Sequence, residues 1–154
     1  MGNRAVITTE DRKMGVYLHW DGDITSVTAF LTWCKMRGIR APEDDNYGWA
    51  RLCQVIANYI EGGYCEESRK LGCEETFSGL SVGVDRYENI KGSADWDNGT
   101  YIIKDWEIVG REGGAGDDEE CDKDYLFRML CRINERQPEG MRMSGAMFSL
   151  YGGN

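Results

Sequence analysis

Apolar residues recur along this chain with two periods, and the switches between them mark its elements. Ala5 to Thr9 is short, β-branched and followed by a charged turn from Glu10 to Lys13. Gly15 to Trp20 (GVYLHW) alternates and ends at Asp21-Gly22, so the two segments predict a β-hairpin. From about Ile24 to Arg37 the period changes to that of a helix. Val27, Phe30, Leu31 and Cys34 form its apolar stripe, Asp23 is placed to cap it, and Gly38 to stop it. After the polar connection APEDDNYG, Trp49, Leu52, Cys53, Ile56, Ala57 and Ile60 again repeat every three or four residues and predict a second helix with one buried face, ended by Gly62-Gly63. The charged stretch from Tyr64 to Thr76 reads as a surface insertion.

Strand periodicity then returns. Leu80, Val82 and Val84 alternate with small residues, and a polar loop from Tyr87 to Gly99 closes on the turn signal Asp97-Asn98-Gly99. Thr100 to Val109 (TYIIKDWEIV) is the longest β-rich run, with a bend expected near Asp105. A Gly- and Asp-rich linker (REGGAGDDEE) leads to a last helix, about Asp118 to Arg136, with Leu126, Met129, Leu130 and Ile133 on its apolar face. The Gly- and Met-rich tail from Glu139 reads as loose.

The order β-β-α-α-β-β-α does not alternate single strands with helices. It predicts an α+β fold: a small antiparallel sheet with two central helices and an additional C-terminal helix. A ligand-binding core over residues 1–112 would be followed by a linker, helix and tail over 113–154. That apolar helix must pack on its own domain or on a second copy, and exchange between copies is a route to a homo-oligomer.

Charge narrows the functional classes. The 154 residues carry 27 acidic and 18 basic side chains, a net −9, which opposes ordinary nucleic-acid binding through Lys and Arg. A small phosphorylated ligand remains compatible, because a pocket with two or three arginines suffices. No apolar run has the length of a membrane span, and the N-terminal residues lack the apolar core of a signal peptide. Val6 stands where a myristoylation signal wants Ser or Thr. A cytoplasmic protein with reduced cysteines is therefore expected. Of the six cysteines, Cys34 and Cys53 fall on helix stripes, no pair is spaced as CxxC, and Cys65 and Cys73 bracket one loop and could pair.

The search for catalytic chemistry finds little. His19 is the only imidazole, and its place in a strand favours packing over catalysis. There is no GxSxG elbow, GxxxxGK[ST] or GxGxxG sequence, so neither a serine triad nor a phosphate loop is expected. No metal or cofactor site is expected either. Aromatic and arginine content stands out instead. Of the five tryptophans, Trp33 and Trp49 belong in helices and to the core, whereas Trp20 and Trp96 sit beside turns, where a ring can stack on a planar ligand. Arg51 faces away from its helix's core stripe and Arg111 follows the long strand, and either could grip a diphosphate.

The segments MGNRAVI, GVYLHWDG, YGWARLCQVIANYI, GLSVGVD and DNGTYIIKDWEIVGRE resemble small prophage proteins, specifically the sponge family of Thoeris anti-defence proteins. The similarity spans about Met1 to Glu112; residues 64–76 and the chain after Gly113 match less well. The resemblance implies a protein that binds glycocyclic ADP-ribose made by TIR-domain enzymes and traps it without cleavage. It further implies assembly as a dimer or trimer of dimers, with cyclic di- or trinucleotides of the CBASS defence as additional ligands. The matching recognition chemistry would place Trp20, Tyr87 or Trp96 on the base, Arg51, Arg111 or Arg128 on phosphate, and Asn98 on ribose or base.

Two other readings fit the composition. The acidic residues from Asp117 to Glu120, with Asp122 and Asp124, could imitate nucleic acid and occupy a nuclease, although acids at a helix start also complement its dipole. An enzyme degrading the signal would differ from a trap by turning over.

Overall fold

The computed structural model describes residues 2–70, 82–114 and 120–145. The order is α+β: strands β1 (Ala5–Thr9) and β2 (Met14–Leu18), helices α1 (Ile24–Arg37) and α2 (Tyr47–Lys70), strand β3 (Val82–Arg86), a single turn α3 (Tyr87–Ile90), strands β4 (Thr100–Lys104) and β5 (Glu107–Glu112), and helix α4 (Lys123–Glu135).

The five strands form one sheet in the order β3-β2-β1-β4-β5. All neighbours are antiparallel except β1 and β4, which run parallel with Val6 opposite Thr100. The sheet is thus mixed, and larger than the sequence suggests. Two features produce the difference. Residues 87–99 carry the chain from the β3 edge back to the side of β1, so β4 enters in the direction of β1. The run Thr100–Val109 is two strands, reversed at Asp105-Trp106, both in the left-handed region (φ 48° and 64°). Positive φ at both centres suits a tight hairpin turn. A tryptophan tolerates it here because its ring is buried and its Nε1 donates to Ile39 O at 2.7 Å.

The remaining boundaries follow local chemistry. The Asp23 carboxylate accepts from Ser26 N at 3.1 Å at the start of α1, and Gly38 ends the helix at φ 79°. Asp23 also accepts from Asn3 Nδ2 at 3.2 Å. Asp23→Ala should therefore lower stability by about 1 kcal/mol, as lost caps do, read as a shifted urea midpoint at unchanged slope. Gly62-Gly63 do not end α2, which continues to Lys70; a helical glycine costs about 1 kcal/mol without forbidding the helix. The surface insertion expected from residue 64 is thus helical to residue 70, and its remainder lies outside the described residues. Helix α4 starts later than its pattern suggests, because Asp122 is its cap, accepting from Tyr125 N at 3.0 Å.

Helices α1 and α2 lie on the sheet, and α4 packs against both helices. Trp33, Phe30 and Leu52 meet Ile7, Leu18 and Ile103 there, and Leu126, Met129, Leu130 and Ile133 of α4 belong to the same core. Helix α4 runs beside α1 in the same direction: Asp122 N donates to Thr25 Oγ1, Trp33 Nε1 to Asn134 Oδ1, and Arg37 Nε to Met141 O. The start of the tail is tied down rather than loose. Asn134 pairs with both backbone groups of Met143, whose side chain is buried.

The other sheet face is covered from Tyr87 onward. Thr8 and Thr100 are buried there, and Ile90 lies over Gly15, where an added Cβ would come within 3.1 Å of its Cδ1. Among the described residues no helix is long and apolar enough to cross a membrane.

Candidate functional site

The residues singled out from the sequence do not converge on one place. Trp96 is 86% exposed and Trp20 45%, and the only described ring partner of Trp20 is His19, edge-on at 5.1 Å. His19 Nδ1 shares a 2.9 Å hydrogen bond with Tyr17 OH. Asn98 is buried, and its amide donates to Asn3 Oδ1 and Arg4 O, which commits it to anchoring the N-terminal strand. Arg111 belongs to the same construction: its Nε donates to Asn98 O at 3.1 Å and its guanidinium stacks 4.8 Å above the Tyr101 ring. Arg128 is exposed on α4 over Tyr125. Only Asn98 and Arg111 of the seven are brought into direct contact, and that contact is within the fold.

Tyr87 borders a cleft of about 410 Å³ with Lys91, Gly92, Asp95, Thr100, Glu112 and Gly113. Arg12 closes it, bonding the Tyr87 hydroxyl at 3.2 Å and pairing in two places with Glu112, whose carboxyl the guanidinium holds below its usual range. Each cation here already faces an acid, Lys91 pairing with Glu88 at 3.0 Å. The lining is balanced in charge and offers a phosphate no net attraction.

Arg51 lies at a groove of different character, about 370 Å³, lined by Gly38, Ile39, Arg40, Tyr47, Gly48 and Arg51. It forms where α1 ends and α2 begins. Gly38 turns the chain, and Asp45 then accepts from Tyr47 N at 2.9 Å to start α2. Gly48 has no room for a side chain, since a Cβ would stand 2.7 Å from Arg40 O and Pro42 N. The first turn of a long helix therefore lies at the groove with its positive dipole end, while the amides of Tyr47, Gly48, Trp49 and Ala50 are bonded to Asp45 and Asn46. Arg40 is held by Asp45 at 2.7 Å, Arg51 by Gln54 at 2.9 Å, and the Tyr47 ring is 71% exposed between them. A groove of this size holds one small molecule. An aromatic face with two arginines and a helix start is chemistry for a planar group joined to phosphate.

The sequence reading found Arg51 but missed Tyr47, which was read only as part of the polar connection APEDDNYG, and Arg40 just before it. The available signal was Asp45-Asn46-Tyr47-Gly48, a turn-forming run just ahead of a helix stripe.

Nucleophilic and acid–base groups are not gathered in this groove. Burial pushes the Cys34 thiol up, keeping it protonated inside the core. Among the described residues no group of three or more His, Cys, Asp or Glu side chains is placed to hold a metal, and Cys34, Cys53, Cys121 and Cys131 are unpaired thiols. The Cys65–Cys73 pairing lies outside the described residues. Of the acidic cluster, Asp122 serves as the α4 cap and Asp124 lies in its first turn, while residues 117–119 are likewise outside. No protein-family model, curated protein or solved structure matches this chain.

Proposed function

We propose that this protein is a stoichiometric, non-catalytic trap for a nucleotide-type signal of the glycocyclic ADP-ribose class, acting in the bacterial cytoplasm against an anti-phage defence. The observation that carries this reading is the groove at the start of α2, where Arg40 and Arg51 flank the exposed Tyr47 ring in a chain of net charge −9. Arg51 carries no ion pair there among the described residues, a local positive charge that suits an anionic ligand that long-range steering does not favour. Tyr47 would stack on the base, and Arg51 and Arg40 would take the diphosphate. Cyclic di- or trinucleotides share this chemistry and form a second ligand class. Assembly as a homo-oligomer, a dimer or trimer of dimers, belongs to the same proposal.

The test is a calorimetric titration with a glycocyclic ADP-ribose isomer, followed by heat denaturation and analysis of the released compound. The expected result is saturable binding with the ligand recovered intact. Tyr47→Ala and Arg51→Gln should each weaken binding about tenfold or more, the loss expected for a stacked base or a charge-assisted contact. Absence of binding across cyclic ADP-ribose isomers and cyclic oligonucleotides would overturn the proposal. Recovery of cleaved ligand would make the protein an enzyme.

A further inference from the structure

A second cationic surface lies away from that groove; of its residues the family resemblance offers only Arg128 for phosphate, and the groove uses none of them. Arg128, Arg132 and Arg136 follow one another at four-residue steps along α4 and its C-cap, so they share one helix face with Tyr125. In a chain with an excess of acids, three arginines in a column are a local concentration of positive charge. The guanidinium of Arg136 lies 4.5 Å above the Tyr59 ring and donates to Tyr59 O at 3.2 Å. That of Arg128 lies 5.9 Å above the Tyr125 ring. Rings beneath guanidinium groups fix their planes and leave the N–H edges for an acceptor.

Helix α2 and the loop after β2 both contribute to this place. Tyr59 comes from α2, with its ring held edge-on by Phe30 at 5.4 Å. Asp21 comes from the loop, in a left-handed backbone (φ 58°) that a non-glycine residue adopts only under constraint. Its carboxyl is half-buried within the field of both Arg132 and Arg136, with Asp23 and Tyr59 as its other charged or titratable neighbours. Burial pushes the Asp21 carboxyl above the usual range and Asp23 adds to this, while Arg136 and Arg132 pull it back. Burial likewise pushes the Tyr59 phenol up and the Asp21 charge adds to it. Arg128, Arg132 and Arg136 carry no ion pair among the described residues, so the Asp21 carboxylate, whose charge both Arg136 and Arg132 favour, is the acid an external anion would meet there.

We infer that the face formed by Tyr59, Arg128, Arg132 and Arg136 binds the phosphate or diphosphate group of a small molecule, and that the Asp21 carboxylate competes with it. Small size follows from geometry. Eight residues of helix span about 12 Å, enough for one diphosphate and its substituents, whereas the acidity of the chain opposes a long polyanion.

Inorganic pyrophosphate is the probe, titrated calorimetrically into the whole protein at low salt, where exposed charge contacts are least screened. Two sites per chain are expected, one here and one in the groove at Arg51. Arg132→Gln should remove the first and leave the second; Arg51→Gln should do the reverse. Arg128→Gln, an exposed change on the same face, repeats the test should Arg132→Gln fail to fold. Asp21→Asn keeps the shape, removes the competing charge, and should tighten the α4 site about tenfold while the groove keeps its affinity. A wild-type titration that only Arg51→Gln alters would overturn this inference and leave the trap reading standing. Loss only in Arg132→Gln would do the opposite. Unchanged or weaker binding in Asp21→Asn would overturn the competing role of Asp21.

Discussion

Trp33→Ala is expected to lower stability by about 4 kcal/mol, the usual range for deleting a buried tryptophan ring, and to leave the chain near its unfolding threshold. The ring is fully buried where α1 packs on α4, and its Nε1 donates to Asn134 Oδ1 at 3.1 Å. It is therefore both the largest fully buried side chain among the described residues and the joint between α1 and α4. Truncation would leave a cavity on both sides of that joint. Trp33→Phe separates the two contributions, because it keeps most of the volume and loses the hydrogen bond. Asn134 Oδ1 still accepts from Met143 N at 2.8 Å, so the phenylalanine variant should lose only about 1 kcal/mol for the missing bond. Urea unfolding followed by circular dichroism measures both. A loss below about 2 kcal/mol in Trp33→Ala would show that α1 and α4 do not dock through this ring.

The second large effect is expected at Gly99, the last residue before β4. Its φ is 72°, and a Cβ there would stand 2.3 Å from Glu112 O and 2.6 Å from Gly113 C. Both neighbours are backbone, so no side chain can swing aside. Gly99 also receives Val6 N on its carbonyl at 3.0 Å and donates to Ala94 O at 2.8 Å. Gly99→Ala must separate β5 from the start of β4 or leave the left-handed region, at an expected loss of about 3 kcal/mol, combining overpacking with an unfavourable φ. The same urea series reads it, and amide exchange should rise at Tyr101 and Arg111, which face each other across β4 and β5. An alanine variant as stable as the parent would mean that this approach is looser than it stands.

What the chain disclosed in advance follows from how local the causes are. Strand β1 and the capped helix α1 depend on neighbours within a few residues and lie where their patterns place them; the stripe of α2 is rotated, with Val55 and Tyr59 buried beside Trp49, Leu52 and Ile56 while Cys53, Ala57 and Ile60 are only partly so. The Asp105-Trp106 turn carries no Asn-Gly or Asp-Gly signal. It is held by the distant carbonyl of Ile39, so the hairpin read as one long bent strand. The Asp97-Asn98-Gly99 run does mark a sharp change of direction, yet it delivers the chain to the side of β1 rather than closing a hairpin. The candidate sites were harder still. Arg51 was visible as a polar residue on an apolar helix, and Tyr47 lies one turn before it on the same face; Arg40 joins them only because Gly48 lets the preceding loop come close. Asn98 and Arg111 looked free for a ligand and are used by the fold. The even spacing of Arg128, Arg132 and Arg136 was on display in the sequence; Tyr59 and Asp21, which give it a purpose, come from other elements.

The parallel pairing of β1 with β4 also sets a timetable for synthesis. Strand β1 leaves the ribosome ahead of the other strands and finds β2 at once, but its other flank is completed only by residues 100–103. The helical layer is closed later, when Asn134 and Met143 reach Trp33. Until then the growing chain carries a hydrophobic central strand with one open side, a template for pairing with other chains. Long-range closure of this kind makes for slow folding. Nascent chains stalled before residue 100 are thus the forms of this protein most in need of a chaperone.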